Sequence, residues 1–141
     1  MSSACARQDL VGQRIAWLLW GLPALALVLG AAFGPVARTI IWTPAFLVAG
    51  ISCVANARRC GRLHCYFTGP LYLFAAGATL LVGLGLMPGG WSWIAGVAIV
   101  GTVLAYAPEW VRGRYVAASS GRVLFVGFVL LGGVVLAALA R

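Results

Sequence analysis

The chain consists of long, uninterrupted apolar runs separated by short polar segments. The apolar positions follow one another without alternating, which is typical of membrane helices and not of membrane strands. A helix needs about 20 apolar residues to cross a bilayer. Five runs meet or approach this length, and the predicted spans are 15–34, 39–57, 66–87, 91–111 and 123–140. The pattern predicts an all-α, polytopic transmembrane bundle of about five spans, with four as the alternative because the last run is the shortest.

Composition places the protein in the same class. Hydrophobic residues make up 63% of the chain and charged residues only 9%, and the mean hydropathy is +1.04. A water-soluble domain carries roughly 25% charged residues, so this chain could not cover its surface with polar groups in water. Since the predicted loops are short, we expect one integral membrane domain over 1–141.

The positive charges predict the orientation of the bundle. All of them are arginines, because the chain contains no lysine. With five spans, the arginines fall on one side as Arg7, Arg14, Arg58, Arg59, Arg62, Arg112, Arg114 and Arg122, and on the other as Arg38 and Arg141. Positive residues in short loops stay on the cytoplasmic side. The N-terminus is therefore predicted to be cytoplasmic, in a protein of the bacterial inner membrane.

The net charge of +8 does not indicate a nucleic-acid-binding protein. The arginines lie at helix ends, where topology already explains them, and no separate soluble basic domain is predicted. Basic residues next to a membrane attract anionic lipids. Membrane lipids are therefore the expected partners and nucleic acid is not, while self-association into a homo-oligomer and the identity of any protein partner remain open.

The reactive side chains are concentrated between Cys53 and Cys65. This segment holds three of the four cysteines, the only histidine and three of the ten arginines. Cysteine and histidine are the ligands that suit zinc and copper. The predicted metal ligands are Cys53, Cys60, His64 and Cys65, all at the cytoplasmic end of the second span or in the loop after it.

Simpler interpretations of the same residues stand beside the metal site. Cys53 lies in an apolar helix, where cysteine often serves as a small buried residue. The arginine cluster is explained by topology alone. The guanidinium groups near Cys60 would also lower the pKa of its thiol and favour the reactive thiolate, which makes a thiol redox sensor a further alternative.

Local signals predict how the helices end around this segment. A helix continuing past Ala57 would place Cys53, Cys60 and His64 on one face, and Gly61 is expected to interrupt it. Thr68-Gly69-Pro70 resembles a helix start, with Thr68 as the cap.

Glu109 is the only acidic residue near a predicted span. Ionisable residues within membranes are candidates for a functional role. The simpler interpretation is a salt bridge to Arg58, Arg59 or Arg62, which would hold the fourth helix beside the cysteine-containing loop.

The stretch Arg59-Cys60-Gly61-Arg62-Leu63-His64-Cys65-Tyr66-Phe67-Thr68-Gly69-Pro70 resembles a segment of small, uncharacterised bacterial polytopic membrane proteins. The resemblance covers these twelve residues and implies a membrane-embedded helical fold without an activity. The comparison with small mercuric-ion transporters is an analogy only, because those proteins are expected to carry cysteines in the first span and this chain does not.

The leading functional hypothesis is therefore a membrane protein that binds or transports a soft metal ion, with zinc or copper as candidates. The first alternative is a structural or assembly protein that binds anionic lipid or a cytosolic partner, and the second is a thiol redox sensor. The sequence favours a non-enzymatic role and predicts no catalytic residues, because two acidic residues leave little material for acid–base catalysis.

Overall fold

A computed structural model describes residues 9–10 and 13–112 of the chain. Within these ranges the protein is helical and contains no strand. A π-helical segment, Trp17–Gly21, leads into the first helix, and the four α-helices are α1 (Leu22–Gly30), α2 (Pro35–Cys60), α3 (Leu63–Gly83) and α4 (Trp91–Arg112).

Three of these helices are long and apolar enough to cross a membrane, namely Pro35–Cys60, Leu63–Gly83 and Trp91–Val111. Their outer faces carry large apolar side chains, and Val36, Val103 and Trp110 are 73%, 62% and 83% exposed. An apolar surface of this extent is unsuited to water and suited to lipid. Over the described residues the predicted all-helical class is therefore confirmed, with three helices that could span a membrane, whereas the count of about five spans is not.

The predicted first span, 15–34, is a shorter apolar stretch over Trp17–Gly30. The helix ends at Gly30, Gly34 is extended and Pro35 starts the next helix, where a proline loses no hydrogen bond. Helix α2 consequently begins at Pro35, four residues before the predicted start of the second span. The predicted span 123–140 lies outside the described residues.

The turn between α2 and α3 is tighter than the sequence indicated. Gly61 ends α2 in the left-handed conformation, with φ of 64°, which glycine adopts without steric penalty. Arg62 is extended and α3 begins at Leu63, not at residue 66, and it ends at Gly83, not at residue 87. His64 and Cys65 therefore lie in the first turn of α3. Thr68 is not a cap, since its hydroxyl bonds to the His64 carbonyl inside the helix at 3.0 Å.

Helices α2 and α3 form the central hairpin, with α1 packed on α2 and α4 packed on α3. The main hydrophobic core lies between these helices and is centred on Trp42, Phe46, Ala75, Ala76, Ala78, Ile94 and Ala98. Trp42 packs edge to face against Phe46 and Trp91. Its indole nitrogen donates to the Leu27 carbonyl at 2.9 Å, which connects α1 to the core.

Close approach of α2 and α3 depends on Gly50. A Cβ at this position would lie 2.9 Å from Cγ of Leu73 and 3.1 Å from its backbone nitrogen. We expect Gly50→Ala to lower the free energy of unfolding by about 1–3 kcal/mol, because the backbone of Leu73 cannot rotate away as a side chain could.

The matched control is Gly77→Ala, since a Cβ at Gly77 meets nothing within 4 Å. Alanine there should leave stability unchanged or raise it by up to about 1 kcal/mol through helix propensity. Thermal unfolding in detergent micelles measures both variants. Equal destabilisation of the two would contradict the proposed contact between α2 and α3.

Candidate thiol and histidine site

The candidate site lies at the end of the bundle where α2 ends, α3 begins and α4 ends. The sharp turn at Gly61 and Arg62 places the first turn of α3 against the last two turns of α2. His64 and Cys65 are buried there. The polar side chains of this end are therefore held inside the bundle, where each requires a partner.

Glu109 connects α4 to the first turn of α3. Its Oε1 accepts from the backbone nitrogen of His64 at 3.1 Å and lies 2.7 Å from the His64 Nδ1. The first contact satisfies one of the free N–H groups at the start of α3, where negative charge is also favoured by the helix dipole. An ionised carboxylate can only accept hydrogen bonds, so Nδ1 is the donor and Nε2 of a neutral ring is left as an acceptor.

The thiol of Cys65 lies next to Nε2 of His64, the ring nitrogen that does not contact Glu109. Its Sγ lies 3.3 Å from Nε2 of His64 and 3.7 Å from the amide nitrogen of Asn56. The residue is 0% exposed. Thiol, imidazole and carboxylate therefore follow one another in contact, an arrangement in which the carboxylate orients the ring and the ring accepts the thiol proton.

A second thiol completes the cluster. Cys53 lies seven residues before Cys60, the last residue of α2, and it packs with Cys65 in one buried cluster, where the two thiols are close enough to interact. Trp20 donates its indole N–H to Sγ of Cys53 at 3.3 Å. Two free thiols on different helices are thus in direct contact, next to the only histidine of the chain.

An ion network covers the outer end of this cluster. Arg62 forms an ion pair and a hydrogen bond with Asp9, and its Nε lies 3.8 Å from Oε1 of Glu109. Burial acts to lower the pKa of Arg62, but the charge and hydrogen bond of Asp9 and the charge of Glu109 outweigh it and raise this pKa. The guanidinium group therefore stays charged and lies near both carboxylates.

Asn56 attaches the segment at Asp9 to the bundle. Its amide nitrogen donates to Asp9 at 3.0 Å, and its Oδ1 accepts from the backbone nitrogen of Leu10 at 3.0 Å. Since the same amide contacts Cys65, the N-terminal segment and the thiol share one buried partner.

A cavity of about 310 Å³ opens beside the cluster, between α1 and the three long helices. Its walls include His64, Trp20 and Tyr106. The His64 ring stacks on Tyr106 with ring centroids 4.3 Å apart. Cys53 and Cys65 do not line the cavity, but each lies directly behind one of its wall residues, Trp20 or His64.

The structure brings together three of the four predicted metal ligands, Cys53, His64 and Cys65. The fourth, Cys60, is buried at the end of α2, and the hydrogen bonds just described for His64 and Cys65 do not involve it. Over the described part of the chain, no group of three or more His, Cys, Asp or Glu side chains is arranged to hold a metal ion. The metal hypothesis therefore gains no support from these residues, and Cys5 lies outside them.

Arg62 is the one of the three predicted arginine partners that forms an ion pair with Glu109. Arg58 and Arg59 are exposed on α2. Sequence reasoning included Arg62 among the possible partners of Glu109 but missed Asp9 as the second partner of Arg62. It also missed Trp20, which no sequence signal separates from the other aromatic residues of the apolar runs.

Comparisons with known proteins identify no relative. No protein-family model matches the chain, and no curated protein or solved structure does so either. The proposals that follow therefore rest on the contacts within this chain.

Proposed function

We propose that this protein is a membrane-embedded thiol redox sensor in which Cys53 and Cys65 cycle between a dithiol and a disulfide. The observation that carries the proposal is the direct contact of the two thiols on adjacent helices, beside the imidazole of His64. Cysteines that sense oxidants are commonly placed next to a second cysteine that resolves the first oxidation product.

A hydroperoxide, ROOH, is the oxidant class that suits this chemistry. Cys65 gives its proton to Nε2 of His64, and the thiolate attacks one peroxide oxygen. The O–O bond breaks, Cys65 becomes a sulfenic acid, and the leaving alkoxide takes the proton to form ROH. The Cys53 thiol then attacks the Cys65 sulfur, the disulfide forms and water leaves. Two thiols and ROOH thus become a disulfide, ROH and water.

Three charged side chains surround the two groups that exchange the proton in the first step. The cluster contains two carboxylates and one guanidinium group, Asp9, Glu109 and Arg62. A proton on His64 offsets the excess negative charge of these groups, while Arg62 lies near enough to stabilise a thiolate at Cys65. These charges oppose the effect of burial, which disfavours both a charged imidazole and a thiolate.

The cavity provides space for the oxidant next to the residues that cover the two thiols. Its wall residues Trp20 and His64 are the side chains that contact the two sulfurs. Because the remaining walls are largely apolar, a hydroperoxide carrying an apolar substituent suits the site better than a charged oxidant does.

We place the site at the cytoplasmic face of the bacterial inner membrane. The support is the arginine distribution of the sequence, which favours a cytoplasmic N-terminus. A cytosolic thiol pool is reducing, so a disulfide formed at this end can be returned to the dithiol by exchange with a small thiol. This reversal is what a sensor requires.

The test is oxidation of the full-length protein in micelles with cumene hydroperoxide, followed by intact mass and peptide mapping. We expect loss of the mass of two hydrogen atoms and a cross-linked peptide joining Cys53 to Cys65. Cys53→Ser should stop at a sulfenic acid on Cys65 that dimedone traps, and Cys65→Ser should give neither product.

The matched control is Cys60→Ser, which removes a buried cysteine of the same segment and should leave the disulfide unchanged. A disulfide that joins Cys60 to any other cysteine would overturn the assignment of the pair. So would thiols that all stay reduced while a reporter thiol in the same micelles is oxidised.

A further inference from the structure

A second concave surface lies on α2, on the side of this helix away from Trp20. Two arginines lie at one end of the surface. It is a groove of about 390 Å³ between α2 and α3, lined by Ile51, Val54, Ala55, Arg58, Arg59 and Leu73. We call these six residues the arginine groove. Five of them are on α2 at spacings of three, four, seven and eight residues, which is one face of a helix.

The groove is apolar along its length and charged at one end. Ile51, Val54, Ala55 and Leu73 supply a hydrocarbon surface, and Arg58 and Arg59 supply two positive charges at the end of α2 where the chain leaves the membrane-spanning segment. An amphiphile with an anionic head and an acyl chain has the same division of charge and apolar surface.

Arg58 and Arg59 differ from Arg62 and Arg38, whose guanidinium groups have partners among the described residues. Arg62 contacts both acidic residues of the sequence, and Arg38 donates to the carbonyls of Ala31 and Phe33 at 2.7 and 2.9 Å. Arg58 and Arg59 are exposed, and no hydrogen bond or ion pair links either to another described residue. Both acidic side chains are buried against Arg62. The positive charges of Arg58 and Arg59 therefore require an anion from outside this part of the chain.

We infer that the arginine groove binds an anionic phospholipid, with the phosphate between Arg58 and Arg59 and an acyl chain along Ile51 and Leu73. Guanidinium groups are suited to phosphate because their parallel N–H groups match its oxygens. The inference does not depend on the thiol chemistry, since none of the six residues contacts Cys53, His64 or Cys65 through a described hydrogen bond.

The test is native mass spectrometry of the full-length protein in micelles containing equal amounts of phosphatidylglycerol and phosphatidylcholine. We expect selective retention of phosphatidylglycerol. Arg58→Gln/Arg59→Gln should lower this retention about tenfold or more, because each juxtamembrane arginine contributes to anionic lipid binding. Arg58→Lys/Arg59→Lys, which keeps the charge, should restore a large part of it.

Two further variants separate the groove from charge alone. Ala55→Phe fills the apolar part without changing charge and should also reduce retention, whereas Arg114→Gln, in the basic segment that the sequence predicts to follow the fourth span, should not. Circular dichroism confirms that each variant folds. Equal retention of both lipids by the wild type, or undiminished selectivity in Arg58→Gln/Arg59→Gln, would overturn the inference, as would competition by glycerophosphate without acyl chains.

Discussion

Arg62→Ala is expected to lower the free energy of unfolding by about 3–5 kcal/mol, because it leaves two buried carboxylates without their positive partner. The side chain of Arg62 is 13% exposed and those of Asp9 and Glu109 are each 6% exposed. Water therefore cannot replace the lost charge. Equilibrium unfolding in mixed micelles measures the effect.

The control for this prediction is Arg59→Ala, which removes the same charge from an exposed position on α2. Its effect should stay within about 0.5 kcal/mol, as for most surface substitutions. Arg62→Lys should fall between the two, because lysine keeps the charge but cannot reach Asp9 and Glu109 with a planar group. Equal effects of Arg62→Ala and Arg59→Ala would show that the network adds nothing to stability.

His64→Ala is expected to slow the oxidation of Cys65 by hydroperoxide on the order of a hundredfold, which is the usual contribution of a positioned general base. The imidazole lies 3.3 Å from the sulfur, which is within reach for direct transfer of the thiol proton. Stopped-flow measurement of thiol loss in the Cys53→Ser background isolates this step from disulfide formation.

Chemical rescue distinguishes a base from a structural residue in this variant. Added imidazole should restore part of the rate in His64→Ala, because the substitution enlarges the neighbouring cavity and the cavity already reaches His64. Glu109→Gln, which still contacts the ring but carries no charge, should slow the reaction less than His64→Ala does. An unchanged rate in His64→Ala would remove the imidazole from the mechanism while leaving the thiol pair to be tested separately.

Much of the fold was predictable because membrane insertion depends on the length and polarity of each segment. The runs 39–57, 66–87 and 91–111 correspond to α2, α3 and α4, with shifts at their ends. Those shifts have local causes. Helix α2 starts at Pro35, before the predicted position. Helix α3 contains Pro70 in its interior and does not start beside it.

The candidate site was predictable only as a region. The spacing from Cys53 to Cys65 indicated that these thiols and His64 share one end of the bundle, and Gly61 ends α2 as expected. The spacing could not show that Cys65, one residue after His64 on a helix, turns back to contact both its neighbour's ring and Cys53. That contact depends on the rotation of α3 against α2, which Gly50 and Gly69 permit by close packing.

The length of the apolar runs and the rarity of acidic residues are properties of the chain alone, and they were sufficient to predict a helical membrane protein with its reactive residues and most of its charges at one end. Which of those residues contact one another depends on how the helices pack. Glu109 lies 45 residues from His64 along the chain and Asp9 lies 53 residues from Arg62. Helix packing determines which residues so far apart in sequence become partners, because a buried charge is stable only where the packed helices place an opposite charge beside it.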